Sequence, residues 1–209
     1  MKLLIFATLS EAETTIKRLN AKPVNDEKVF IWSEGMVPSS YQYPGGLILL
    51  SGFGMHAAQL AVTRYAEKAD EIWNLGIAGA LKNDLPVGTI KQIEVVGKHV
   101  PLPKTIDPVS RECAETVAPI FGVASKGVRL VSSDFPVHDL DHREELQKKW
   151  DLVDMEGYGV AYAAHYLGKK CLMWKVVSDF AKGRAPIRAN KVKLSELLSD
   201  LALEGSAAI

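Results

Sequence analysis

Three acidic residues that follow apolar segments are the side chains of this sequence best suited to chemistry. They are Glu11, Glu156 and Asp179, and an ionised carboxylate buried at such a place is costly unless it has partners. An acid in a poorly solvated pocket has a raised pKa and can deliver a proton to a leaving group. A carboxylate can also accept hydrogen bonds from two neighbouring hydroxyl groups at once. The structural alternative is that Asp179 caps the segment after it and that a helix dipole stabilises Glu156.

Two glycine-rich segments lie between Glu11 and Glu156 in the sequence. In Ser51–Met55, two glycines allow backbone N–H groups at the start of a helix to approach an anion or an electron-rich atom. A tight turn between a strand and a helix explains the same residues, and the third glycine of a dinucleotide-binding fingerprint is missing. In Asn74–Leu81, the density of small residues indicates a close approach of the backbone either to a ligand or to a neighbouring helix.

The elements that must position these residues follow from apolar runs that alternate with segments of helical periodicity. The pattern predicts strands over Lys2–Thr8, Lys28–Ser33, Gly46–Ser51, Glu71–Leu75, Gly88–Val96, Val123–Ser132, Leu152–Met155 and Cys171–Val177. It predicts helices over Ser10–Leu19, Met55–Lys68, Pro108–Pro119, Leu140–Trp150, Glu156–Leu167 and Lys191–Leu203. Ser10 is expected to cap the first helix, and Pro38–Pro44 is expected to be a loop.

Several predicted strands are uniformly apolar, which is typical of a mostly parallel sheet covered by helices on both faces. We therefore expect an α/β fold. A single domain over residues 1–209 is expected, because no repeat, low-complexity tract or linker divides the chain. In open α/β sheets, ligands bind at the carboxyl ends of the strands, which is where the three acids are expected.

Composition excludes several classes of function. The 25 Lys and Arg residues balance the 25 Asp and Glu residues, so no overall positive field favours nucleic acid or an anionic membrane. The two cysteines, Cys113 and Cys171, lack the spacing of a metal site or a disulfide scaffold, which favours reduced thiols in a cytoplasmic protein. No apolar run approaches the ~20 residues that span a bilayer.

The motifs resemble, in their order and spacing, those of the nucleoside phosphorylase/nucleosidase superfamily. They are Ser51–Met55, Asn74–Leu81 followed by Pro86–Ile90, Val153–Gly157 and Val177–Asp179, and the resemblance covers residues 1 to about 183. The branch that the sequence resembles most contains the methylthioadenosine/S-adenosylhomocysteine nucleosidases and the related futalosine hydrolases.

The resemblance implies a three-layer αβα sandwich around a mixed, mostly parallel sheet, assembled as a homodimer. It also implies hydrolysis of the N-glycosidic bond of a 5′-modified purine nucleoside, with release of adenine or a related purine. The implied substrates are methylthioadenosine, S-adenosylhomocysteine and aminodeoxyfutalosine or futalosine, from methionine salvage or menaquinone biosynthesis. The implied reactants are the nucleoside and water, without metal or cofactor.

Site residues follow from the same resemblance. Asp179, held by Ser178, corresponds to the acid that protonates purine N7, and Glu156 corresponds to the carboxylate that takes the ribose hydroxyls. Glu11 corresponds to the carboxylate that orients the attacking water; Glu13 is its rival, but the helical phase of the neighbouring apolar residues favours Glu11. The other implied substrate contacts are Met155 at the ribose, Ala78 and Gly79 along the sugar and base, and Phe135, Pro136 and Val137 around the purine.

Two alternatives to a hydrolase remain. A phosphorylase needs a cationic cradle for phosphate, usually with arginine, but the Ser51–Met55 loop has none, Arg64 lies deeper in the next helix, and Glu11 would repel phosphate. Hydrolysis is therefore favoured. A non-catalytic nucleoside-binding or storage protein is the second alternative, and the presence of both Asp179 and Glu156 argues against it.

The sequence departs from the nucleosidase branch near the expected water. Lys175 replaces an arginine, and Ile77 replaces a small hydroxyl residue. Lys98–Ser110 and the chain after Lys182 are also short, and these regions usually shape the pocket for the 5′ substituent. A trimmed pocket would suit a bulky 5′ group such as that of aminodeoxyfutalosine.

The histidines give weaker signals. His99 is expected either near the sugar or on the surface. His138, Asp139, Asp141 and His142 together could bind a metal, but a charged loop that enters a helix is the favoured interpretation.

Overall fold

The structure is a computed structural model that describes residues 1–24, 27–32, 34–101, 107, 109–110, 118–181 and 185–206. Its strands are β1 (Lys2–Phe6), β2 (Lys22–Pro23), β3 (Lys28–Ile31), β4 (Gly35–Pro38), β5 (Ser40–Tyr43), β6 (Gly46–Leu50), β7 (Glu71–Ala80), β8 (Ile90–Lys98), β9 (Phe121–Gly122), β10 (Val128–Ser132), β11 (Leu152–Asp154) and β12 (Lys170–Asp179). Its helices are α1 (Leu9–Arg18), α2 (Met55–Tyr65), α3 (Leu140–Leu146), α4 (Gly157–Tyr166) and α5 (Ala185–Ser206), and a 3₁₀ turn over Ala66–Lys68 follows α2.

Ten of these strands form one mixed sheet in the order β11-β10-β8-β12-β7-β1-β6-β5-β2, with β9 on β8. The neighbours β6, β1, β7 and β12 run parallel, and β8 runs antiparallel to β12. The expected mixed α/β sheet is confirmed.

The long strand β7 has different partners along its length. Its first half pairs with β1 over Lys2–Ile5, whereas Gly79 and Ala80 near its end pair with β11. The strands β7, β12, β8, β10 and β11 therefore close into a ring, and the sheet remains open on the β1 side. Between these two pairings, one edge of β7 has no strand beside it in the described part of the chain.

Helices cover both faces of the open part, and the alternation of side chains in β1 explains why. Leu4 and Phe6 point into the core shared with α1 and α5, whereas Leu3 and Ile5 point into the core shared with α2 and α4. Because both faces of the strand are buried, the run Leu3–Phe6 of β1 is apolar at every position.

Four local predictions were wrong. The cap of α1 is Thr8, not Ser10: the Thr8 hydroxyl accepts from the backbone N–H of Glu11, and the Glu11 carboxylate accepts from that of Thr8. The expected loop Pro38–Pro44 contains β5, because Tyr41 and Tyr43 are buried in the core. The strands β7 and β12 are longer than predicted, since their polar and small residues continue the pairing. The last helix starts at Ala185 rather than at Lys191.

Other predictions fall outside the described residues or concern the membrane. Most of the helix predicted over Pro108–Pro119, including Cys113, lies outside the described residues, and Cys171 is a free thiol. Among the helices described here, none combines the length and the apolar character that crossing a bilayer requires.

Candidate active site

A cavity of about 360 Å³ opens where β7, β10, β11 and β12 end. This volume is ordinary for a small-molecule site, and the carboxyl ends of strands are where α/β sheets bind ligands. All ten residues that the sequence assigned to the site line this cavity: Glu11, Ala78, Gly79, Phe135, Pro136, Val137, Met155, Glu156, Ser178 and Asp179. The three acids, which are far apart in sequence, therefore share one cavity.

Asp179 is buried at the end of β12, where a bulge interrupts the pairing with β7. Its Oδ1 accepts from the Ala181 N–H at 2.6 Å, so it caps the turn after the strand as the structural alternative predicted. The φ of Ala181 is +53°, an unusual value for a residue with a side chain, and this conformation turns the N–H back to the carboxylate. A Cβ on Gly79 would lie 3.2 Å from Asp179 Oδ1, so this glycine leaves room for the carboxyl group.

The Ser178 hydroxyl can form a hydrogen bond with Asp179 whether that carboxyl group is ionised or protonated. Its Oγ lies 2.7 Å from Asp179 Oδ2 and 3.2 Å from the carbonyl oxygen of Ala78. A hydroxyl group has one proton and two acceptor lone pairs. It can donate to an ionised Asp179, or donate to Ala78 and accept from a protonated Asp179.

The Glu11 carboxylate bonds to the edge of β7 at the place where no strand of the described chain lies beside it. Its Oε1 accepts from the Ile77 N–H at 3.0 Å, and its Oε2 accepts from the N–H and hydroxyl of Thr8 at 2.9 and 3.1 Å. Burial raises the pKa of Glu11, although the Ile77 N–H and the charge of Lys175 oppose the rise. The rival Glu13 is exposed and paired with Lys17, outside the cavity.

Glu156 precedes α4, but its side chain does not cap that helix. The Oε1 atom instead accepts from the Gly54 N–H at 2.9 Å, at the start of α2. The sequence predicted that backbone N–H groups of this turn would face an anion or an electron-rich atom. In the structure, the Glu156 carboxylate accepts from the Gly54 N–H. Burial, together with the neighbouring Asp154, raises the pKa of Glu156 to about 8.

Asp154 and Lys175 form a buried ion pair that sequence reasoning missed. Lys175 Nζ lies 2.8 Å from Asp154 Oδ2, and both side chains are almost fully buried. The same carboxylate accepts from the Gly157 N–H at 2.9 Å and from the Ser132 hydroxyl, which fixes the start of α4. The signal was available, because a lysine inside an apolar strand needs an acid nearby.

Gly76 makes room for this cation beside Glu11. A Cβ at this position would lie 3.2 Å from Lys175 Nζ and 3.3 Å from Glu11 Oε1. The small residues of the Asn74–Leu81 segment thus form a strand that buried charged groups approach closely. The many small residues in this segment are therefore explained by the close approach of polar side chains of the protein itself.

The exposed side chain of Phe135 and the buried Val137 belong to the loop after β10, and Pro136 lies between them on the same cavity wall. The loop is held by the Ser133 N–H, which donates to the backbone oxygen of Asp154 at 2.9 Å. His99 does not line the main cavity; its Nε2 lies 2.6 Å from His142 Nε2, beside a smaller cavity.

The segment His138–His142 forms a charged loop that enters α3. Asp139 caps this helix by accepting from the His142 N–H at 2.9 Å. Within the described residues, no group of three His, Cys, Asp or Glu side chains is placed to hold a metal ion. The Asp139 cap confirms the prediction of a charged loop that enters a helix.

The sequence matches a known protein family over most of its length. The family described as the Phosphorylase superfamily matches residues 8–204. The chain belongs to the phosphorylase superfamily. No curated protein matches its sequence significantly.

Solved structures share this superfamily fold at low sequence identity. Futalosine hydrolase of Helicobacter pylori is 16% identical with a TM-score of 0.79, and the match covers 100% of this chain and 97% of that one. The 5′-methylthioadenosine/S-adenosylhomocysteine nucleosidase of the same organism is 15% identical with a TM-score of 0.75, covering 100% and 98%. S-adenosylhomocysteine nucleosidase from Streptococcus pyogenes, in complex with 5-methylthiotubericidin, is 19% identical with a TM-score of 0.76, covering 97% and 94%.

Arginine is absent from the described walls of this superfamily member's cavity. Arg64 lies on the outer part of α2, where its guanidinium pairs with Glu27 at 2.6 Å. Among the described residues that line the cavity, Lys191 is the one lysine, and it belongs to α5 rather than to the Gly54 turn. The turn that a phosphate would need is already occupied by Glu156.

Replacing Glu156 with glutamine is expected to stabilise the chain more at pH 8 than at pH 5. The folded chain keeps a proton on Glu156 up to about pH 8, whereas the unfolded chain releases it near 4.5. This group's contribution to stability is therefore present below pH 4.5 and is lost as the pH rises toward 8. Thermal unfolding of both proteins between pH 5 and pH 8 measures the difference.

Glu13→Gln is the matched control, because Lys17 lowers the pKa of this exposed acid. It should leave the fall in stability between pH 5 and pH 8 unchanged. A Glu156→Gln variant with the same pH dependence as the wild-type chain would show that Glu156 carries no raised pKa.

Proposed function

We propose that the chain is an N-glycosyl hydrolase that cleaves a 5′-modified purine nucleoside and releases adenine or a related purine. The candidate substrates are methylthioadenosine, S-adenosylhomocysteine and aminodeoxyfutalosine or futalosine. The observation that carries this proposal is the meeting of Glu11, Glu156 and Asp179 in one cavity, with Glu156 on the helix start that a phosphate would need.

The hydrogen-bond capacity of the three acids supports their separate roles. A carboxylate has about four acceptor positions. Glu11 already accepts from three donors, so it has room for about one water; Glu156 accepts from Gly54 and has room for two ribose hydroxyls. Asp179 accepts from Ser178 and Ala181, which leaves it able to share a proton with the purine.

In the proposed reaction, the C–N bond breaks while positive charge grows on the ribosyl ring. A proton on Asp179 passes to purine N7, so the purine leaves as a neutral molecule, and the Ser178 hydroxyl accommodates the change in charge. The carboxylate of Glu156 stabilises the cationic sugar through its hydroxyl groups. A water held by Glu11 then adds to the anomeric carbon, and its proton passes to that carboxylate.

The raised pKa values of Glu11 and Glu156 are consistent with these roles. Positive charge that develops between the two carboxyl groups favours their ionised forms. The attraction is therefore stronger in the transition state than in the substrate complex, which is the condition for catalysis. An incoming phosphate would instead have to displace Glu156 from the Gly54 N–H, so water is favoured as the nucleophile.

The finer assignments are also proposals, supported by the sequence resemblance. They are a homodimer in the cytoplasm, a role in methionine salvage or in menaquinone biosynthesis, and contacts of Met155, Ala78 and Gly79 with the sugar. Phe135, Pro136 and Val137 are proposed to hold the purine, since a phenyl ring and a proline offer apolar surface to a base.

Incubation with methylthioadenosine and with aminodeoxyfutalosine, each with and without phosphate, tests the reaction. Free adenine, measured by chromatography, is expected to appear equally with and without phosphate. Release only in the presence of phosphate would identify a phosphorylase. Binding of both compounds without release would identify a nucleoside-binding protein and contradict hydrolysis.

A further inference from the structure

A separate hairpin, formed by β3 and β4, presents an exposed aromatic side chain to the cavity. Its inner residues Ile31 and Val37 are buried in the core beside α1 and α5. Trp32 directly follows β3, is 78% exposed and lines the cavity. One face of the hairpin is therefore fixed to the core while its end holds an indole at the cavity mouth.

Glu34 ties the end of this hairpin to the first turn of α1. Its carboxylate accepts from the N–H groups of Leu9 and Ser10 at 2.9 and 2.8 Å, and from the Ser10 hydroxyl. The first N–H groups of a helix have no partner within the helix, and the helix dipole adds an attraction for a carboxylate. The hairpin is thus attached to the turn that also carries Glu11.

Trp32 is one of three exposed aromatic side chains on the cavity rim. Phe135 is 74% exposed and Phe53 is 47% exposed, and both line the same cavity. Clustered exposed apolar side chains beside a cavity usually mark a binding surface. The rim therefore favours a ligand that extends beyond the acidic floor of the cavity.

The direction of α5 shows which end of the cavity Trp32 occupies. The helices α1 and α5 run in the same direction, since Thr14 contacts Ser195 and Arg18 pairs with Asp200 further along both. Ile187 and Lys191 precede Ser195 in α5, so they lie toward the start of α1, with Trp32. The proposed purine wall belongs to a different element, the loop after β10.

We propose that Trp32 is a specificity-determining residue that packs against a large apolar or aromatic 5′ substituent, and that Glu34 is the positioning residue that holds it there. The inference rests on the proposed function. With the purine at the loop after β10 and the ribose over Glu156, the wall of Trp32, Ile187 and Lys191 is left for the 5′ side. An indole supplies a large rigid surface for such a group.

Two C-nucleosides of 9-deazaadenine, one with a 5′-hydroxyl and one with a 5′-phenylthio group, separate this inference from catalysis. A carbon–carbon bond replaces the scissile bond, so neither compound is consumed. Titration calorimetry of the wild-type chain is expected to show tighter binding of the phenylthio compound. Trp32→Ala should weaken that binding about 10-fold and change the binding of the 5′-hydroxyl compound less than about twofold.

Glu34→Ala should lose most of the same preference, because the indole is no longer held at the rim. The double variant should lose no more than Trp32→Ala alone, since both changes act through one contact. Phe30→Ala is the matched control: it removes an exposed aromatic side chain from the same hairpin that does not line the cavity. It should bind both compounds as the wild-type chain does.

Equal weakening of both compounds by Trp32→Ala, or no weakening of either, would overturn the inference while leaving the proposed function intact. Additive losses in the double variant would overturn the role of Glu34. Failure of the wild-type chain to bind either compound would contradict the proposed function itself. If sedimentation showed that Trp32→Ala dissociates a dimer, the indole would be covered by a second copy of the chain, which also overturns the inference.

Discussion

Replacing Asp179 with asparagine is expected to lower kcat by about 10²–10⁴-fold, the usual contribution of a positioned general acid. The amide has the shape of the carboxyl group, so its oxygen can still accept from the Ala181 N–H and the turn after β12 should persist. It has no acidic proton to give to the leaving purine. The melting temperature and the substrate KM should therefore change little, and steady-state kinetics with calorimetry separate these quantities.

Asp134→Asn is the matched control for this variant. Asp134 lies in the loop after β10, next to the cavity-lining Phe135, but its side chain is partly exposed and interacts with Lys98 at 3.7 Å. Its replacement should leave kcat within about twofold of the wild-type value, as expected for a surface change of under about 0.5 kcal/mol. A fully active Asp179→Asn enzyme would refute the assignment of the acid.

Replacing Lys175 with methionine is expected to destabilise the chain by about 3–5 kcal/mol, the typical cost of breaking a buried ion pair. Methionine fits the space, but it leaves Asp154 without its cation and removes the charge that lowers the pKa of Glu11 and of Glu156. For a chain of this length, the melting temperature should fall by about 6–20 °C. The loss should be larger at pH 8 than at pH 5, because the pKa values of Glu11 and Glu156 rise further without Lys175, and protonation at the lower pH removes their charge.

Lys170→Met provides the comparison, since Lys170 starts the same strand. Its side chain is exposed and paired with Glu71 at the surface, where an ion pair contributes at most about 1 kcal/mol. Thermal unfolding of both variants at two pH values tests the difference. Equal stabilities would mean that the charge of Lys175 is not needed to balance the buried acids.

Much of the sheet could be predicted because its strands are apolar on both faces. The residues of β1 alternate between two helical layers, so an unbroken apolar run was a sufficient signal. The extensions of β7 and β12 could not be predicted in this way. Gly76, Gly79 and Asp179 have low intrinsic preference for β-strands. They continue the strands because β7 pairs with β12, and because the two glycines leave room for buried polar side chains.

The residues that line the cavity were predicted more completely than the charged contacts among them. The ordered motifs named the lining acids, and the helical phase of α1 favoured Glu11 over Glu13. Sequence gave no distance between Lys175 and Asp154, because their contact depends on the pairing of β12 with β7 and of β10 with β11. The contact of Glu34 with the first turn of α1 could not be predicted either, since its partners are backbone N–H groups, which every residue except proline has.

The distance in sequence between β7 and its neighbour β12 has a consequence for how the site assembles during folding. β7 pairs with β12, whose residues come about 100 positions later in the chain, and the acids of the cavity come from both ends of the sequence. Contacts between such distant segments form late. The long stretch of chain between them must first lose conformational entropy, and only the finished contacts offset that loss. In a chain still being synthesised, the acidic cluster therefore cannot assemble until β12 has joined β7. The unfavourable free energy of bringing the buried charged groups together is met only at this last stage of folding.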